Sequence, residues 1–442
     1  MKTKRLIVLI GFVSTLITLS CKIDKVSAQV NDKQSESAQP LHFVAKDKEI
    51  GWLKTNCIKI KTVQAESGFE DLQPLKKLIG NARIVALGEN THGTSEVFKI
   101  KHRLIEFLAS EMNFTILSIE LGMPESYEVN EYVLYGKGDP KALLKKFSFW
   151  PFNNQEFLDL IEWMRKYNAS GKGRVQFTGF DTQHFAGSFE IISKYADKND
   201  KVLKSKIDSI AKIYEDLASK GKQIAESEDE LQLFHHICES VLSYLSINKN
   251  SISRISCEKE IKWLLCNARI IVQSSNPVGF TDMAYRDKCM AENVEWLLEN
   301  NLNEKIILWG HIGHLRKELP WLGGYLSKKF GINYYSIGTA SNSGNYTAVN
   351  SNKLTPTNTL NASEPGSFEF SFHKTGIPIF YFDFNQVTKS EQESLWMTKA
   401  LNYRGIGSDA TEKQFSPVRI SEWYNAIIYI DSTHASNCFY TY

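Results

Sequence analysis

Short runs of apolar, β-branched and aromatic residues alternate along the chain with longer stretches of helical period. Six runs read as strands buried on both faces: Ile84–Leu87, Thr115–Ile119, Val175–Phe180, Ile306–Trp309, Tyr334–Ile337 and Ala426–Ile430. Continuous apolar runs of this length suit a parallel sheet with helices on both sides, because neither face of such a strand meets water. Between them, Ser95–Glu111 carries Val97, Ile100, Leu104 and Leu108 on one stripe. Thr94 or Ser95 can cap it, and Glu96 suits the positive end of its dipole. Glu156–Tyr167 and Asp282–Asn300 show the same period, and from about Asp200 to Gln273 the chain is almost wholly helical, with short breaks near Lys220-Gly221 and Asn248–Ser251. The alternation predicts an α/β fold: a largely parallel central sheet flanked by helices, with a mostly helical insertion lobe at about residues 200–275. Residues 341–376, rich in Ser, Asn, Thr and Gly without clear periodicity, read as a long loop.

The N-terminus has a different pattern. Lys2, Lys4 and Arg5 precede an apolar stretch, Leu6–Leu19, of signal-peptide length. Thr18-Leu19-Ser20-Cys21 resembles a bacterial lipobox, which would attach a lipid to Cys21, and Val26-Ser27-Ala28 offers cleavage after Ala28 instead. Residues 1–28 are therefore expected to be an export signal, 29–40 a polar tether and 41–442 the folded domain. The product would be exported, either periplasmic or anchored to the membrane through Cys21. Composition adds one exclusion. Lys and Arg number 52 against 50 Asp and Glu, so nothing in the charge balance points to nucleic acid. Cys57, Cys238, Cys257, Cys266, Cys289 and Cys438 form no CxxC pair, which argues against structural zinc; buried thiols and disulfides both remain open.

The ends of the strands carry the chemistry. The first runs into Glu89, the second ends at Glu120, the third at Asp181 and the fourth runs into His311. Strand C-termini of a parallel sheet share one edge, where ligands bind. Ionisable groups there are costly to bury unless they are paired or used, so four of them predict a shared polar site. In the loop after the first strand, Glu89 lies three residues before His92. It is near enough to hold one ring nitrogen and leave the other as a base. Lys101 falls on the apolar stripe of the following helix, where a lysine either snorkels or pairs with carboxylates such as Glu89 and Glu120. His102 and Arg103 point elsewhere on the wheel and read as surface residues. His311 and His314, three apart at a strand exit, can converge on one site, whereas the adjacent His235 and His236 face different ways.

Leu87-Gly88-Glu89-Asn90-Thr91-His92-Gly93, Lys101-His102-Arg103-Leu104, Ile119-Glu120, Gly179-Phe180-Asp181 and Gly310-His311-Ile312-Gly313-His314 together resemble the erythromycin esterase family. Tyr285-Arg286-Asp287 and Met290-Ala291-Glu292-Asn293 resemble the family's segment before the histidine strand. The resemblance spans roughly Gly80 to Ala340 in order, and it implies hydrolysis of a macrolide lactone ester with no required metal or cofactor. It also implies His92 as general base on water, with Glu89, Glu120, His311 and His314 in the active site. Where one family pattern has arginine this chain has Lys101, which keeps the charge without the bidentate fork. The chain contains no G-x-S-x-G, so a serine acyl-enzyme is disfavoured. The implied partner is a small macrolide or lactone. Two alternatives stand beside this reading. One is a metallohydrolase using the same Glu and His side chains. The other is a surface lipoprotein that binds a small ligand without catalysis.

Overall fold

A computed structural model describes residues 43–147, 149–183, 186–219, 228–280 and 282–439. The expected signal, lipid-bearing Cys21 and tether lie outside these residues, as does the expected helix break at Lys220-Gly221. Among the described residues, eleven strands are defined: β1 Ile58–Lys59, β2 Ile84–Glu89, β3 Ile116–Gly122, β4 Gln176–Asp181, β5 Ile306–His311, β6 Tyr334–Asn350, β7 Lys353–Leu360, β8 Ile379–Asp383, β9 Leu401–Arg404, β10 Phe415–Val418 and β11 Ala426–Thr433. The main sheet runs β1-β8-β11-β6-β2-β5-β3-β4, with β7 hairpinned onto β6. Its centre is parallel: β3 with β5, β5 with β2, β2 with β6 and β6 with β11. The β8 and β1 edge is antiparallel. Every residue of β2 and β3 is buried, in keeping with their unbroken apolar runs. The α/β class with a largely parallel sheet is thus the observed one.

The described residues group into two compact units. The larger one holds the sheet and draws on the described residues within 43–120, 126–180 and 291–439. The other, from Leu121–Glu125 and Asp181–Met290, is helical. Its helices Ala186–Asn199, Lys201–Ser219, Glu228–Ile247 and Glu258–Ser275 close around Ile192, Leu203, Ile207, Phe234, Val241, Leu264 and Ile271. His235 belongs to this unit as an ordinary helix residue, its Nδ1 3.0 Å from Ser275 Oγ. The six cysteines from Cys57 to Cys438 are all free, and burial pushes the thiols of Cys238 and Cys266 up to about 12. No helix among the described residues is long and apolar enough to cross a membrane.

Two expectations fail. Residues 341–376 are not a loop. β6 continues to Asn350, turns through Ser351 and Asn352, both at positive φ, and returns as β7; Phe368–His373 is a helix. Two successive left-handed residues give the hairpin turn whose twist matches its strands. The polar composition hid a strand because its small side chains are satisfied within the protein: Asn342 Oδ1 accepts from the Ser363 hydroxyl at 2.5 Å, and Asn358 Nδ2 donates to the Tyr346 carbonyl at 3.3 Å.

The second failure is on the helix Ser95–Met112. His102 and Arg103, expected at the surface, are buried. The helix is covered on the side away from the sheet as well. Arg103 Nη2 donates to Asp71 Oδ1 at 2.5 Å and to the Gly68 carbonyl at 2.7 Å, and the His102 ring meets Trp163 of the helix Gln155–Ala169 edge-on at 5.9 Å. A one-dimensional stripe shows which face meets the sheet. It does not show that a second layer covers the back. Removing Arg103 leaves the Asp71 carboxylate buried without its counter-charge, so Arg103→Ala should cost about 3–5 kcal/mol in denaturant unfolding. An unchanged midpoint would show that this pair braces nothing.

Candidate active site

The in-register pairing of β2 with β5 sets Glu89 opposite His311 and Leu87 opposite Trp309. Strand side chains alternate, so these four share one face. Helix Ser95–Met112 supplies Lys101 to that face. Its ammonium is ion-paired with Glu89 Oε2 and sits 4.3 Å above the Trp309 ring. Glu89 is completely buried and Lys101 is 1% exposed. Burial draws the lysine down to about 8, against the opposing pull of Glu89 and then Glu120. The other Glu89 oxygen, Oε1, lies 3.2 Å from His92 Nδ1. A carboxylate beside an ammonium only accepts, so Nδ1 donates, and in the neutral ring this tautomer puts the lone pair on Nε2.

Close backbone packing holds the His92 loop. The Gly93 carbonyl accepts from Thr347 N–H and Ser436 N–H, both at 2.9 Å. A Cβ at Gly93 would stand 1.9 Å from the Thr347 carbonyl oxygen, so only glycine fits behind the histidine. On the other side, Asn90 O accepts from Ile406 N–H at 2.8 Å and Asn90 N–H donates to Thr339 Oγ1 at 2.9 Å.

Glu120, from the neighbouring β3, lies across Gly310. A Cβ there would come within 3.1 Å of Glu120 Oε2, which explains the glycine before the histidine. Oε2 accepts the His311 backbone N–H at 2.8 Å, and Oε1 is 3.3 Å from His314 Nε2. His311 caps the short helix Ile312–Leu315, its Nδ1 accepting from Gly313 N–H at 3.2 Å. Burial first, and then the neighbouring His92, hold the His311 imidazolium well below the usual histidine range. It is neutral at pH 7 with its proton on Nε2. The His92 and His311 rings are 5.0 Å apart between centroids, and those of His311 and His314 are 6.4 Å apart.

All six residues expected in the site, Glu89, His92, Lys101, Glu120, His311 and His314, therefore come together in the larger unit. Asp181 has a different use. Within the helical unit it takes a two-pronged contact from Arg286, with Nε at 2.9 Å and Nη2 at 2.7 Å. A forked ion pair of this kind spends both carboxylate oxygens on structure. Among the described residues, no three His, Cys, Asp or Glu side chains are arranged to hold a metal ion. Sequence reasoning missed two participants. Trp309 beneath Lys101 looked like one more apolar strand residue. Phe149, 5.2 Å from His92 and edge-on, stands in a segment without periodicity.

Residues 109–433 match the family model described as Erythromycin esterase. This chain belongs to the erythromycin esterase family. The matched segment contains Glu120, His311 and His314, while Glu89, His92 and Lys101 precede it. Erythromycin esterase type II of Escherichia coli is 28% identical over 336 residues, 67% of this chain and 78% of that protein. A Bacillus cereus protein of known crystal structure is 28% identical with a TM-score of 0.77, covering 89% of this chain and 99% of its own. Another crystal structure, of a protein named for succinoglycan biosynthesis, is 26% identical with a TM-score of 0.75, covering 91% and 100%. Family membership sets this erythromycin esterase relative among hydrolases of the esterase type.

The Lys101–Glu89 pair yields a pH prediction. Above about 8 the lysine loses its proton and Glu89 loses its counter-charge. Activity should then fall along an alkaline limb near that pH. A guanidinium does not titrate there, so Lys101→Arg should move the limb upward by at least one pH unit while Lys101→Met removes most activity. A kcat–pH profile with the same limb in all three proteins would contradict this.

Proposed function

We propose that the chain opens the lactone ester of macrolides such as erythromycin, with His92 as general base on the attacking water. The single observation that carries this is the buried row Lys101–Glu89–His92, which fixes the imidazole tautomer and leaves Nε2 as the proton acceptor. In this reading a water gives its proton to His92 Nε2 and its oxygen adds to the ester carbonyl carbon. Glu89 stabilises the imidazolium that forms, as a buried carboxylate does beside a catalytic histidine. The neutral His311, with Nε2–H as donor, and His314, held by Glu120, face the developing oxyanion. The C–O bond then breaks, His92 returns the proton to the leaving alkoxide, and the ring opens to a hydroxy acid.

Lys101 is a positioning residue in this scheme, since its ammonium is committed to Glu89 and the Trp309 ring rather than to substrate. Export belongs to the same proposal: a signal over residues 1–28, with lipid on Cys21 or cleavage after Ala28, would put the enzyme where an antibiotic first meets the cell and would serve macrolide resistance.

Mass spectrometry of erythromycin incubated with protein lacking residues 1–28 should show the gain of one water. His92→Ala should slow it by on the order of 10²–10⁴-fold, the usual contribution of a positioned general base. Activity lost to a chelator and restored by added metal would replace this reading with a metallohydrolase. Unchanged erythromycin, together with unchanged ester substrates, would leave a ligand-binding protein.

A further inference from the structure

Each end of the histidine row meets an aromatic ring. At the His92 end stands Phe149, half-buried, its ring centroid 5.2 Å away at an interplanar angle of 81°. At the other end stands Trp321, also half-buried, 6.4 Å from the His314 ring at 64°. Proton transfer uses neither ring. Trp321 is nonetheless held with care. The Arg316 guanidinium lies 4.1 Å from its ring centre and 4.4 Å from that of Trp423, so one cation is clamped between two indoles. Arg316 also reaches the Glu318 carboxylate at 3.3 Å, and its side chain is only 14% exposed. A cation held against an aromatic face is attracted by the ring's quadrupole, the more strongly when shielded from water. It fixes the rotamer of Trp321, so a ligand resting against that ring pays little ordering cost. Phe149 is steadied by Phe152 at 5.9 Å.

An ester attacked by water at His92, with its carbonyl oxygen at the histidine pair, carries its acyl and alkoxy arms past a row that an aromatic ring bounds at each end. In a lactone both arms belong to one ring, which must pass both aromatic groups. We infer that Phe149 and Trp321 are specificity-determining walls that grip the hydrocarbon on either side of the scissile bond, so that the site favours large apolar ring esters over small open ones. The inference rests on the hydrolase reading above.

Steady-state kinetics on erythromycin and on p-nitrophenyl acetate test it. Trp321→Ala should raise KM for erythromycin about tenfold or more, as loss of an aromatic anchor does. It should leave kcat within about twofold and leave acetate hydrolysis unchanged. Trp321→Phe should restore most of the affinity, and Arg316→Gln should weaken erythromycin binding in the same sense. Parallel changes for both esters, or no change in either KM, would overturn the inference. If wild-type protein turns over neither ester, the hydrolase reading fails on its own. Calorimetric titration of erythromycin into wild-type and Trp321→Ala protein then decides this one. A loss of about tenfold in affinity upholds it; equal affinity, or no binding by the wild type, refutes it.

Discussion

A fully buried carboxylate is the constraint around which this structure is arranged. Glu89 sits at the end of β2 with no access to water, and an isolated charge there would be far too costly to keep. Lys101 neutralises it from the covering helix, and His92 takes the remaining oxygen. The pair is worthwhile only if its geometry is rigid, because a buried ion pair recovers its desolvation cost through close contact alone. The surroundings provide that rigidity. The helix carrying Lys101 is pinned from behind by Arg103 and Asp71, Trp309 fills the space under the ammonium, and the loop carrying His92 is locked where Gly93 touches the Thr347 backbone.

Much of this could be read from the amino-acid sequence, for a definable reason. Strands buried on both faces leave unbroken apolar runs, and a polar residue at the end of such a run is conspicuous. Glu89, Glu120 and His311 were visible in that way. Lys101 stood out because a charge interrupted a stripe of Val97, Leu104 and Leu108. What stayed hidden depended on a neighbour that is remote in sequence. The burial of His102 and Arg103 needed the segment around Asp71 and the helix bearing Trp163. The hairpin of β6 and β7 needed internal partners for Asn342 and Asn358. Asp181 looked equivalent to the other strand-end acids until Arg286, more than a hundred residues later, proved to occupy it.

The site also shows why parallel sheets carry chemistry at this edge. Regular hydrogen bonding brings three adjacent strand ends, β2, β5 and β3, to fixed spacing. Two small residues then make room: Gly310 for the Glu120 carboxylate, and Gly93 for the strand that backs His92. Precision comes from the sheet: Glu89, Glu120 and His311 lie within strands, and His92 and His314 each follow a strand end by three residues.

The contact at Gly93 has a consequence for how such proteins diversify. No side chain can be added behind His92 without pushing apart two backbone segments, Glu89 is committed to Lys101 and His92, and Glu120 to His311 and His314, so evolution has almost nothing to vary at this centre. Under the proposed ester hydrolysis, adaptation to a new substrate would fall to the rim, where rings such as Phe149 and Trp321 can be exchanged without disturbing the charge pair. Relatives built on one skeleton can thus drift apart in what they accept while keeping a frozen chemical heart.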